Sequence, residues 1–189
     1  MISDSLIQSL PKTDLHVHLD GSLRIPTLIE LAKVQGLELP SWTEEGLRDL
    51  VFKPTYSSLV EYLAGFEFTV AVLQTAEALE RVAYELALDN IAEGTRYIEV
   101  RFAPHLHMHD GLGFDDVLAA VTRGLDRARD EHEASDAVRV HNEPPFRFGI
   151  IVCSLRRFDA SSSRWYGRLF QQFSDAPKKQ IYRMASLLE

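Results

Sequence analysis

The stretch that decides the fold is residues 12–24, KTDLHVHLDGSLR. Apolar and polar side chains alternate from Asp14 to His18, and Gly21 and Ser22 follow, which predicts a short strand over 12–18 that ends in a turn. Because side chains two residues apart in a strand point to the same side, we expect the rings of His16 and His18 to be neighbours. Neighbouring neutral imidazoles suit a divalent transition metal, zinc above all. The bare spacing is weak evidence for a metal site, and taken alone it is better explained by two histidines on a half-exposed strand.

The rest of the chain alternates between helical and strand patterns. Strands are predicted over 95–103 and 146–155, a polar loop over 133–145, and helices over 26–35, 43–50, 57–74, 75–94, 114–132 and most of 161–188. This order indicates parallel strands joined by crossover helices. A closed barrel of eight strand–helix units takes about 250 residues. We therefore expect the α/β class, as a partial (β/α)8 TIM barrel with roughly the first three strand–helix units and extra helices after strand 1.

Composition and charge exclude several functional classes. Of the 189 residues, 46% are hydrophobic and 25% are charged, which is ordinary for a soluble globular protein. The net charge is -8 and no Lys/Arg stripe occurs, which argues against a nucleic-acid partner. No apolar run reaches the roughly 20 residues of a membrane helix, and 1–11 do not resemble a signal peptide, so we expect no membrane partner and a cytoplasmic location. Cys153 is the only cysteine, which excludes an internal disulfide; it is expected to be a buried small hydrophobe.

Three segments carry a resemblance to a known family. Residues 12–24 closely resemble the opening motif of the adenosine deaminase family, a branch of the metal-dependent amidohydrolase barrels. Residues 97–105, YIEVRFAPH, resemble the second-strand motif of that family, and 150–157, IIVCSLRR, resemble the third. The matches occur in the family's order and the resemblance covers essentially the whole chain, so 1–189 is expected to be the N-terminal portion of a single metal-dependent deaminase barrel domain.

The resemblance implies zinc-dependent hydrolysis of adenosine or deoxyadenosine to inosine or its deoxy form and ammonia. His16 and His18 would be two of the ligands of one zinc ion, which activates a water molecule. Asp20, with help from His18, would lie close to the ribose 5′-hydroxyl of the nucleoside. The other class of zinc deaminase requires a Pro-Cys-x-x-Cys segment, which a chain with one cysteine cannot contain.

The predicted helix over 57–74 carries four residues that resemble the family's hydrophobic gate over the substrate pocket. Core packing explains any one of them equally well. These residues are Leu59, Tyr62, Leu63 and Phe66.

Other polar residues near the strand ends are interpreted as structural. Glu99 and Arg101 lie on the second predicted strand and are expected to be interior charges that need partners. His105, His107 and His109 alternate just past that strand, and we favour a structural role for them over a second metal site.

The family also uses a third His ligand, a Glu acid, a His beside the attacking water and an Asp ligand. No residue between Leu155 and Glu189 matches them, and this stretch contains no His. We therefore expect no catalytic residue in this chain and no activity from the chain alone. It would then be a truncated family member or a fragment, with a risk of self-association through an open barrel edge.

Two alternatives stay open. One keeps the fold and the metal but changes the substrate to adenine or aminodeoxyfutalosine; Asp20 favours a nucleoside, since a nucleobase has no ribose to recognise. The other is a non-catalytic module that binds a ligand and has lost the active site.

Overall fold

A parallel three-stranded sheet forms the centre of the protein. The computed structural model describes residues 3, 6–7, 10–155 and 163–172. The strands are β1 (Lys12–His18), β2 (Thr95–Phe102) and β3 (Arg147–Val152), in the spatial order β1-β2-β3. Because all three run in the same direction, the loops that follow them leave from the same edge of the sheet.

Helices connect the strands, as the sequence predicts. Between β1 and β2 lie α1 (Ile25–Gln35), α2 (Glu44–Leu50), α3 (Leu59–Val72) and α4 (Ala76–Ala92). After β2 come a 3₁₀ turn (Pro104–Leu106), α5 (Phe114–Ala134) and α6 (Asp136–Arg139), and α7 (Arg164–Gln172) follows β3. The four helices between the first two strands confirm the extra helices predicted after strand 1.

Local sequence chemistry sets several helix ends. The side chains of Thr43 and Thr75 cap α2 and α4 by accepting the backbone N–H three residues further on. Gly36 ends α1 with φ 65°, in the left-handed region that glycine adopts without a Cβ clash. These ends were predicted, and they confirm that capping residues and glycine are reliable boundary signals here.

Three sequence predictions need correction. The polar stretch 133–145 is not all loop, because α5 continues to Ala134 and one further helical turn forms α6. The third strand is shorter than 146–155, because its pairing partners on β2 run only from Tyr97 to Phe102. Cys153 therefore lies past the strand and is half-buried rather than buried. The helix predicted over 161–188 is present as α7, and the remainder of that prediction lies outside the described residues.

The two faces of the sheet have different environments. Ile98, Val100 and Phe102 of β2 are at most 1% exposed and share a core with Leu79 of α4 and Val121 of α5. The alternate residues of β2 point to the other face of the sheet. They are polar and half-buried, as the alternation in the sequence predicts: Tyr97, Glu99 and Arg101. Within the described ranges, no helix is long and apolar enough to cross a membrane.

Candidate metal centre and substrate pocket

The two histidines of β1 lie next to each other at the carboxyl end of the strand. The ring centroids of His16 and His18 are 5.4 Å apart, with 36° between the ring planes. Both residues are exposed, and His18 pairs in register with Arg101 of β2. The structure thus brings the two predicted metal ligands together on the polar face of the sheet.

The strand that carries them is irregular. Asp14 pairs with Ile98 and Val17 with Val100, so Leu15 and His16 together stand opposite one residue of β2. Such a two-against-one arrangement is a β-bulge, which redirects side chains locally. The sequence gives no sign of this bulge, because the alternation of residue types continues through it.

Asp20 lies in the loop directly after β1 and is almost completely buried, with 6% of its surface exposed. Its Oδ1 is 3.7 Å from His18 Nδ1, beyond hydrogen-bond length, and has no hydrogen-bond partner among the described residues. Burial raises the pKa of the Asp20 carboxyl, while the nearby His18 ring opposes that rise. A buried carboxylate oxygen without a partner can accept a hydrogen bond from a ligand.

An aromatic row on α3 approaches the histidines. The Phe66 ring meets the His18 ring edge-to-face at a centroid distance of 6.5 Å, and Tyr62 lies 5.7 Å from Phe66. A Cβ on Gly21 would lie 3.2 Å from Phe66 Cζ, so a glycine in this loop allows the ring to approach. This contact joins two segments more than 40 residues apart in the chain, and sequence reasoning missed it.

Three of the four predicted gate residues are exposed rather than packed in the core. Leu59, Tyr62 and Leu63 expose 69%, 45% and 50% of their surfaces. Core packing is therefore wrong for these three, and Phe66 is half-buried against the loop after β1. The structure brings Phe66 and Tyr62 towards His18, and it leaves Leu59 and Leu63 free to contact a ligand or another part of the protein.

The two charged residues predicted to be interior find different partners. The Tyr97 hydroxyl donates to Glu99 Oε1 at 3.2 Å. Arg101 Nη2 donates to the Leu15 carbonyl at 3.5 Å, and its buried Nε has no hydrogen-bond partner among the described residues. Both charges face the polar side of the sheet rather than the core.

Two of the three later histidines, His107 and His109, bind backbone carbonyl groups at the junction between α3 and α4. His107 Nδ1 lies 2.9 Å from the Leu73 carbonyl oxygen, and His109 Nε2 lies 2.9 Å from that of Gln74. Burial lowers the pKa of His107 to about 4, against the opposing effect of its bond to Leu73. His105 is 1% exposed and its ring lies 4.5 Å from that of Trp165. These contacts are structural, and the long-range carbonyl bonds could not be seen in the sequence.

The donors at the edge of the sheet fit part of a zinc shell. His16 and His18 supply two nitrogen ligands of the type that zinc prefers. In the ranges that the structure covers, no three His, Cys, Asp or Glu side chains converge as a metal cluster. Two nitrogen donors are fewer than the three or four protein ligands that zinc sites use.

Comparison with known proteins identifies similar sequences. A family model described as adenosine deaminase matches residues 11–176. A probable adenosine deaminase of Dictyostelium discoideum is 43% identical over 164 residues, covering 86% of this chain and 20% of the relative. The adenosine deaminase of Shewanella halifaxensis is 47% identical over 120 residues, covering 63% of this chain and 36% of the relative. The chain thus spans about a fifth to a third of the length of these relatives.

Solved structures share the fold. Arabidopsis ADAL complexed with GMP aligns with a TM-score of 0.63 and 28% identity, over 90% of this chain and 48% of that protein. A Burkholderia ambifaria amidohydrolase with bound zinc aligns with a TM-score of 0.60 and 20% identity, over 94% of this chain and 45% of that protein. The α/β architecture is accordingly a partial (β/α)8 barrel with the first three strands described.

Proposed function

The chain belongs to the adenosine deaminase family, and from this premise we propose that it is the N-terminal portion of a barrel domain that deaminates adenosine or deoxyadenosine. Water replaces the 6-amino group, which gives inosine or deoxyinosine and ammonia. The observation that carries the proposal is the grouping of His16, His18 and the buried Asp20 at the carboxyl edge of a parallel sheet. In barrels of this kind the active site lies at that edge.

His16 and His18 hold one zinc ion in this proposal. The His16 side chain is exposed beside the His18 ring, so its ring nitrogens are accessible to a metal ion. When bound, zinc lowers the pKa of a water molecule so that hydroxide is available near neutral pH. The bound zinc in the Burkholderia ambifaria amidohydrolase supports a metal in this fold.

Asp20 binds the ribose end of the nucleoside. Its Oδ1 is buried without a hydrogen-bond partner in the described structure, and it lies beside His18. A ribose 5′-hydroxyl can donate to this carboxylate and satisfy the buried oxygen. A 5′-phosphate at the same place would bring two negative groups together, which disfavours a nucleotide.

The aromatic row of α3 forms one wall of the pocket. The Phe66 ring covers one side of the His18 ring, and Tyr62 continues the aromatic surface on the far side of Phe66. Leu59 and Leu63 lie three residues before Tyr62 and Phe66, respectively, on the same helix, and their exposed side chains are placed to contact a bound nucleoside.

The remaining ligands and the catalytic acid are proposed to come from a part of the family barrel that this chain does not cover, since the curated relatives are longer. The chain on its own is then expected to be inactive. A cytoplasmic location and self-association stay predictions from the sequence.

A nucleotide substrate is the second candidate, because Arabidopsis ADAL is described in complex with GMP. Asp20 argues for the nucleoside, and the two candidates differ in whether a 5′-phosphate is accepted.

A chimera tests the proposal. Residues 12–155 replace the equivalent segment of the Shewanella halifaxensis deaminase, and adenosine, AMP and adenine are compared by ultraviolet absorbance. We expect turnover of adenosine alone, and a fall in kcat/KM of about tenfold or more for Asp20→Asn, since one charge-assisted hydrogen bond is weakened. The conservative Tyr97→Phe variant is the control, because Tyr97 lies on the same face of the sheet but near the amino end of β2, away from the pocket.

A folded, zinc-loaded chimera without activity on adenosine would contradict the proposal. A preference for AMP would support the second candidate instead. The purified chain is assayed alongside with zinc, and turnover by it alone would refute the expected inactivity.

A further inference from the structure

One peptide group in β1 is bound at both ends by side chains. The N–H of His16 donates to Asp14 Oδ1 at 2.9 Å, and the carbonyl of Leu15 accepts from Arg101 Nη2 at 3.5 Å. That N–H and that carbonyl belong to the same peptide group, the one that joins Leu15 to His16. Its orientation is therefore fixed by an acidic residue of the same strand and a basic residue of the neighbouring strand.

This peptide group lies inside the β1 bulge. Leu15 and His16 stand opposite Glu99 alone, so one residue of β1 is extra. Bulged backbone leaves the regular ladder and needs other hydrogen-bond partners. Asp14 and Arg101 supply two of them, and regular pairing resumes where Val17 pairs with Val100.

We propose that Asp14 is a positioning residue for His16, and that Arg101 assists it. Together they hold the Leu15–His16 peptide group in the bulge and thereby place the His16 ring 5.4 Å from the His18 ring. The inference rests on the proposed function in one respect, since it takes the two rings as metal ligands. Asp14 contributes the shorter bond, so its loss has the larger effect.

A purely electrostatic role gives different expectations. If Asp14 acted only through its negative charge, Asp14→Asn would weaken the binding of a cation. If Arg101 acted only through its positive charge, Arg101→Met would strengthen it. If Asp14 acts by positioning, Asp14→Asn has little effect on cation binding, because the amide oxygen still accepts from the His16 N–H. If Arg101 acts by positioning, Arg101→Met weakens cation binding.

The experiment uses the full chain and Cu2+ alone, since Cu2+ binds nitrogen ligands more tightly than Zn2+. Isothermal titration compares the wild type with Asp14→Asn, Asp14→Leu and Arg101→Met. Leu has nearly the shape of Asn but no acceptor, and we expect Asp14→Leu to raise the Kd about tenfold, as loss of an outer-shell partner does. Arg147→Met is the matched control, because Arg147 lies on β3 and its guanidinium pairs with Glu133.

A second measurement needs no metal. The exchange rate of the His16 amide hydrogen is followed by NMR in the same variants without Cu2+. Exchange is expected to accelerate by about fivefold in Asp14→Leu, because one hydrogen bond to the His16 N–H is lost. It is expected to stay near the wild-type rate in Asp14→Asn and Arg147→Met.

The proposal is overturned if Asp14→Asn weakens Cu2+ binding as much as Asp14→Leu, if Arg101→Met strengthens it, or if His16 exchange is the same in all variants. If Asp14→Leu does not fold, the Asn and Met variants still separate positioning from charge. If Cu2+ binding is too weak to measure, the exchange rates decide. An inactive chimera combined with the expected exchange pattern would refute the deaminase proposal and leave this one standing.

Discussion

Two His-x-His pairs of the chain, His16 with His18 and His105 with His107, lie in opposite environments. His16 and His18 are exposed neighbours on the polar face of the sheet, and the His18 side chain is 47% exposed. His105 and His107 are at most 1% exposed, and His107 binds the Leu73 carbonyl. The same spacing therefore makes one candidate metal centre and one structural contact. Burial and backbone partners, rather than spacing, separate the two.

Secondary structure explains the difference. In an extended strand, residues i and i+2 point to one side, so the rings of His16 and His18 meet. His105 lies in the 3₁₀ turn Pro104–Leu106, where residues two apart point in different directions. The His105 ring packs against Trp165 and the His107 ring against Phe102, so the second pair does not converge.

The largest expected effect is on metal affinity, which should depend on His16 and His18 and not on His107. The double variant His16→Ala, His18→Ala should lose measurable Cu2+ binding, a larger change than the 10–100-fold loss typical of an outer-shell partner. Its free energy of unfolding should change little, because both residues are exposed. His107→Phe should keep Cu2+ binding in the same titration. If His107→Phe loses metal affinity and the double variant keeps it, the comparison is reversed.

The second prediction concerns acid stability. Burial lowers the pKa of His107 in the folded chain to about 4, from 6.5. Between these values the unfolded chain binds the proton and the folded chain does not, so the free energy of unfolding falls as the pH falls from 6.5 to 4. We expect His107 to account for about 3 kcal/mol of that fall.

Urea unfolding at several pH values measures this contribution. His107→Phe removes the titrating group and keeps a ring, so its unfolding free energy should fall less steeply with acid. His141→Phe is the control, because His141 is exposed. Equal slopes for the wild type and His107→Phe would show that the buried ring does not titrate in this window.

The sequence was sufficient for features that depend on near neighbours. The alternation around His16 and His18, the glycine at position 36 and the caps at Thr43 and Thr75 each depend on residues a few positions apart, and the structure agrees with them. The three parallel strands follow from the order of the predicted elements. Their exact ends do not, because β3 stops where its partner strand stops.

What the sequence missed depends on residues far apart in the chain. The β1 bulge exists only relative to β2, and the bond from His107 joins segments 34 residues apart. Metal binding by His16 and His18 and ribose binding by Asp20 stay predictions, because they concern ligands rather than the fold.

The smallest expected effect concerns the apolar contact beside the exposed histidine pair. A Cβ on Gly21 would lie 3.2 Å from Phe66 Cζ and 3.3 Å from Cε1, closer than ordinary van der Waals contact. Gly21→Ala therefore forces the ring to shift, although Ala also lowers the entropy of the unfolded chain and so offsets part of the cost.

Phe66→Leu removes the crowded end of the ring, so the two substitutions should be non-additive by about 0.5–1 kcal/mol in a double-mutant cycle of unfolding free energies. A matched cycle of Gly21→Ala with Phe68→Leu, two residues further along α3, should be additive. Additivity in both cycles would mean that Phe66 does not pack on this loop, and the histidine pair would then lack its apolar wall.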